Sequence, residues 1–144
     1  MTDFTRYNNG SQKKGKCIFA VAMDEGSNSN EFSAASDNHL LGILPPNAIV
    51  TDAYIQVNTV SDAATSAVAT LGTASGGGQL MTGADLTTAG HQGTFVAGVD
   101  SGTGAEIWLG LTYTGAATDV GKYVIVVEYL EYLKTTGELT KFSL

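Results

Sequence analysis

The stretch Ala105-Glu106-Ile107-Trp108-Leu109-Gly110-Leu111-Thr112-Tyr113 alternates apolar and non-core positions with a period of two. No other feature constrains the chain as strongly. Successive side chains of a β-strand point to opposite faces, whereas a helix would scatter this pattern around its circumference. Ala105, Ile107, Leu109, Leu111 and Tyr113 therefore form an inner face, and Glu106, Trp108, Gly110 and Thr112 an outer one. The same period runs through residues 48–58, with Ala53, Ile55 and Val57 on one side and Tyr54, Gln56 and Asn58 on the other. It recurs in Cys17, Phe19, Val21 and Met23, a strand that Asp24 and Glu25 end. The run Tyr123-Val124-Ile125-Val126-Val127-Glu128-Tyr129-Leu130 begins apolar on both faces, which predicts a central strand covered on both sides.

Weaker signals fill the gaps. His39 to Ile43 reads as a short strand, Ala67 to Gly72 as another, and Thr94 to Ala97 as a third. Residues 26–30 and 33–38 read as loops, and Gly76-Gly77-Gly78 as a flexible connection. Pro45-Pro46-Asn47 forces a turn, because a residue before proline is held extended. No segment carries a helical stripe, although residues 63–71 and 85–89 are each compatible with one helical turn. Seven or so strands separated by Gly-, Thr- and Asp-rich turns predict an all-β fold, an antiparallel β-sandwich that is jelly-roll-like with an extended N-terminal arm. The arm is assigned to residues 1–15, the body to 16–133 and a C-terminal tail to 134–144. A chain of 144 residues suits one domain and buries roughly two-thirds of its unfolded surface.

Charge divides the chain unevenly. Arg6, Lys13, Lys14 and Lys16 stand near the start, and no Lys or Arg follows until Lys122, while ten acidic residues lie between Cys17 and Gly121. Such a body repels phosphate backbones, which excludes nucleic acid as its partner. Charged residues make up only 15% of the chain, and Gly, Ala, Ser and Thr fill the places where Lys and Glu usually stand. A surface of that kind suits one covered in an assembly. The first residues lack the apolar core of a signal peptide and no stretch is long enough to span a bilayer, so a cytoplasmically made protein without a membrane partner is expected.

Catalytic chemistry finds no foothold. His39 and His91 have no Cys or second His at ligand spacing, so no metal site is expected. The carboxylates are scattered singly, without a calcium-loop spacing or a marked glycosidase pair. Gly76-Gly77-Gly78 is followed by no Lys, unlike a phosphate-binding loop. Cys17, the single cysteine, lies in an apolar run and reads as a buried structural thiol. The expectation is a non-enzymatic protein with no catalytic residue, no cofactor and no small-molecule substrate. Trp108 has two readings on its outer face: a ring covered by a loop or second layer, or an interface anchor or sugar platform.

The residues Leu44-Pro45-Pro46-Asn47-Ala48-Ile49-Val50, Leu71-Gly72-Thr73, Thr88-Ala89-Gly90 and the closing Tyr123 to Tyr129 run recur in an order that resembles small virion proteins of tailed bacteriophages. In particular the stretch from Ile43 to Tyr129 is similar to the cement, or head decoration, proteins with a jelly-roll body. The resemblance implies a capsid-exterior protein, assembled in the host cytoplasm, that clamps neighbouring major capsid protein subunits after shell expansion. It also implies a homo-oligomer, with a dimer favoured over a trimer, and extended terminal arms. The absence of Lys and Arg from the body is a departure that leaves the nature of the contacting face open. A carbohydrate-binding module, or a tail or fibre module on a virion surface, is the alternative.

Candidate contact residues come from this sequence alone: Phe4, Arg6, Tyr7, Lys13 and Lys14 in the arm, Trp108 on the body and Phe142 in the tail. Ordering the arm costs about 1–2 kcal/mol per residue, while burying Phe4 and Tyr7 returns only about 1.5–3 kcal/mol each. The isolated arm is therefore expected to be disordered and to order on a partner, where its roughly 50 Å extended reach carries it beyond its own subunit.

Overall fold

The computed structural model describes residues 16–25, 36–63, 65–115 and 120–131. The expected arm with Phe4, Arg6, Tyr7, Lys13 and Lys14, and the expected tail with Phe142, lie outside the described residues. Within them the chain forms nine strands and no helix: β1 (Lys16–Asp24), β2 (Ser36–Leu44), β3 (Ala48–Thr59), β4 (Ser66–Gly72), β5 (Met81–Asp85), β6 (Gly90–Gln92), β7 (Thr94–Phe95), β8 (Ala105–Thr114) and β9 (Lys122–Glu131).

These strands make two antiparallel sheets, one ordered β1-β9-β3-β6 and the other β2-β8-β4-β5-β7. With the two-residue β7 set aside, the chain visits the sheets in the double Greek-key order of a jelly roll. The alternation in β8 is realised: Ile107, Leu109, Leu111 and Tyr113 are buried, and Glu106 and Thr112 are exposed. Val50, Ala53, Ile55 and Val57 of β3 and Tyr123, Ile125 and Val127 of β9 meet them from the other sheet to form one core. As its two-sided apolar pattern predicts, β9 is central and pairs with both β1 and β3.

Three local expectations are corrected. The segment 33–38 was expected as loop, but β2 already begins at Ser36 and extends the predicted short strand to nine residues. The described residues of 63–71 hold no helical turn; from Ser66 they form β4, because Ala67, Ala69 and Leu71 alternate into the core. Residues 81–92 supply two strands that sequence reading passes over, β5 and β6. Gly83 and Gly90, both with positive φ, interrupt that stretch and hide its alternation. Residues 85–88 form a tight turn in which the Asp85 carboxylate accepts hydrogen bonds from the Thr87 and Thr88 side chains at 2.6 and 2.8 Å.

The Pro45-Pro46-Asn47 corner is as expected. Asn47 takes a left-handed backbone (φ 57°), a conformation asparagine tolerates better than most residues. Buried Ser101 braces the corner, accepting from the Ala48 N–H at 2.9 Å and donating to the Pro45 carbonyl at 2.6 Å.

Candidate interaction surfaces

The outer face of the β2-β8-β4 sheet holds Trp108. Cross-strand register places Leu40 of β2 and Gly72 of β4 on either side of it, and Asn38, Gly110 and Thr70 form the next row. Its indole N–H donates to Glu106 Oε2 at 2.6 Å, two residues away on the same face. The ring is half-buried rather than exposed. The glycine-rich segment after β4 folds back over this sheet: a Cβ on Gly72 would strike Gly77 and the Gln79 side chain. That segment packs at Gly72, the register neighbour of Trp108. Leu40 and Ile43, 49% and 66% exposed, leave more apolar surface open here than the tryptophan does.

The outer face of the other sheet is apolar along its middle and charged toward one end. On β1, Ala20 and Ala22 lie opposite Val126 and Val124 of β9, Ile18 (61% exposed) lies opposite Glu128, and Tyr54 on β3 follows across Val126. Tyr54 stacks on His91 of β6, with ring centroids 4.4 Å apart. Neither the sequence spacing of His91 nor that of Tyr54 signals this pair; it is made by the β3–β6 register, which sets His91 opposite Gln56.

Between the sheets, next to the ends of β1 and β8, lies a buried polar cluster. Glu25 follows β1 and is fully buried, and its Oε1 accepts hydrogen bonds from the hydroxyls of Tyr113 and Tyr123, each at 2.8 Å. Its backbone N–H donates to the Gly121 carbonyl at 2.9 Å. Gly121 is required here, since a Cβ would collide with the Tyr123 hydroxyl and the Glu25 carboxylate. Burial, with the Glu25 carboxylate beside them, pushes both phenols far above the ordinary tyrosine range. Sequence reading took Glu25 as a strand terminator. A glutamate directly after an alternating strand gives no sign that a tyrosine from each of two distant strands will close over it. The cluster is a structural tie: it joins β8 of one sheet to β9 of the other through the residue that ends β1.

Cys17 faces the interior but is only half-buried, a correction to the expected buried thiol. His39 lies 3.2 Å from the Asp37 carboxylate, two residues away along β2. Among the described residues, no three of His, Cys, Asp and Glu come together in an arrangement able to hold a metal ion. No family model, curated protein or solved structure matches the chain.

Proposed function

We propose that this chain is a structural virion protein that seats on the outer surface of an expanded phage capsid and clamps neighbouring major capsid protein subunits. The supporting observation is open apolar surface on both sheets, led by Ile18, Leu40 and Ile43. A body with no Lys or Arg from Cys17 to Gly121 meets a partner through such surface, or through basic groups that the partner supplies. The arm, with Phe4, Arg6, Tyr7, Lys13 and Lys14, adds a strand to a neighbouring subunit in this reading, and Phe142 anchors the tail. The carbohydrate-binding alternative depends on Trp108. Its engaged N–H and half-covered ring offer a sugar less than a free platform would.

Cosedimentation of the full chain with expanded, undecorated capsids, with unexpanded procapsids as control, tests the proposal. Saturable binding to expanded shells alone is expected. Leu40→Asp and Ile43→Asp, both at exposed positions, should weaken it at least tenfold while leaving the fold intact. Removal of residues 1–14 should leave a folded body that binds poorly. Binding to neither kind of shell overturns the proposal and moves the search to glycans.

A further inference from the structure

A sandwich of two open sheets has four edges, and an edge strand offers a row of backbone N–H and C=O groups to any other strand. Three of the four edges here carry a device against such pairing. β6 and β7 are only three and two residues long. β2 is nine residues long, but its ladder is broken by a bulge between Leu40 and Gly42, and Asp37 and His39 sit within it. Bulges, charges and short length are the ordinary means of blunting an edge.

β1 is long, has no bulge, and carries charged residues only at its two ends. Its register with β9 runs without a break from Lys16 opposite Leu130 to Asp24 opposite Lys122. The seven residues between its ends, Cys-Ile-Phe-Ala-Val-Ala-Met, include no charge, no proline and no glycine. Among the described residues no strand pairs with it on the side away from β9.

We propose that β1 pairs antiparallel with β1 of a second copy about a two-fold axis at Ala20, joining two four-stranded sheets into one of eight. The sequence of the strand selects this register. Opposed residues must share a face, so the axis has to pass through a residue and not between two. Centring on Ala20 is the one choice that overlaps all nine residues. On the outer face, Ile18 then lies opposite the partner's Ala22, large against small, and Ala20 meets the partner's Ala20. On the inner face, Phe19 lies opposite the partner's Val21 and Cys17 opposite the partner's Met23, four side chains that are only half-buried in the single chain. An isologous contact of this kind closes on itself and yields a dimer, not a fibre. The inference rests on the edge and its sequence and is independent of the capsid reading.

Sedimentation velocity on the full chain, from low micromolar to several hundred micromolar, should show a species of twice the 14.9 kDa chain mass. Ala20→Lys sets two ammonium groups against each other at the axis and should weaken the dimer on the order of tenfold or more. Because Ala20 is exposed, the melting temperature of the variant monomer should stay unchanged. Register is read with a single cysteine in a Cys17→Ala background, under oxidised glutathione. Ala20→Cys brings two Cα atoms to about 4.5–5.5 Å, within disulfide reach, and should crosslink to completion. Ala22→Cys leaves the two thiols four residues apart along the strands, about 13 Å, and should stay reduced. A monomer at every concentration, a dimer indifferent to Ala20→Lys, or equal crosslinking at both positions would each overturn the proposal.

Discussion

On one flank of the sandwich β1 and β2 run for nine residues each; on the other β6 and β7 run for three and two. The short flank is finished by local chemistry. Asp85 caps its turn with Thr87 and Thr88, and Gly93 carries the chain from one sheet to the other with φ 101° and the Met81 thioether against it. The long flank is finished from inside, by Phe19 lying against Gly42 across the two sheets and by buried Glu25 beneath the end of β1. A flank closed by turns needs nothing further, whereas the other, among the described residues, is closed from within and leaves β1 as a strand edge. The difference separates a surface the fold has completed from one left for another chain.

Four perturbations sharpen that contrast. The largest effect belongs to the long flank. Glu25→Ala leaves two buried phenol hydroxyls without their acceptor and should cost about 3 kcal/mol or more in chemical denaturation, with Glu25→Gln, which keeps one acceptor oxygen, costing less. If Glu25→Ala melted like the wild type, the cluster would not be the tie assigned to it.

Alkaline pH probes the same cluster. Tyr113 and Tyr123 keep their protons in the fold because their pKa values are raised, while an unfolded tyrosine loses its proton near pH 10. Above that point the unfolded state binds fewer protons than the folded one, so stability falls as pH rises. The stabilisation is complete below about pH 10, and by about pH 11 on the order of 1 kcal/mol should be lost for each tyrosine. Tyr113→Phe should flatten part of that slope; an unchanged slope would place the loss elsewhere.

On the short flank, Gly93→Ala forces a side chain into a left-handed backbone against Met81 and should cost about 1–2 kcal/mol by thermal melting. Asp85→Ala, at an exposed turn, should cost only ~0.5 kcal/mol. The Thr87 and Thr88 hydrogen bonds lower the Asp85 pKa, so this small contribution is present above about pH 4 and fades as pH falls below it. A cost for Asp85→Ala as large as that for Glu25→Ala would erase the distinction between the flanks.

The sandwich was legible because β3, β8 and β9 declare themselves. Two alternate cleanly and the third is apolar on both faces, and these patterns fix which strands are half-covered and which is central. β5 and β6 were not legible, since glycines interrupt their short runs and their pairing depends on distant partners. The surfaces divide in the same way. Trp108 was placed on the correct face of its strand, yet its neighbours there, Leu40 and Gly72, are set by cross-strand register, which no local pattern encodes. The Glu25 cluster and the Tyr54–His91 stack join residues far apart in the chain, so only register reveals them. The open edge of β1 lies between these cases. Its uncharged run is plain in the sequence, but that it is an edge follows from the sheet order.

Residue-resolved hydrogen exchange on β1, compared between the wild type and Ala20→Lys at the same high concentration, tests the contrast most directly. The account predicts that the alternate β1 amides pointing away from β9 exchange slowly in the wild type and quickly in Ala20→Lys. Those facing β9 should stay protected in both, and β6 and β7 should not change. Equal protection of the outward β1 amides in the two proteins would contradict it, because their partner would then lie within the chain itself.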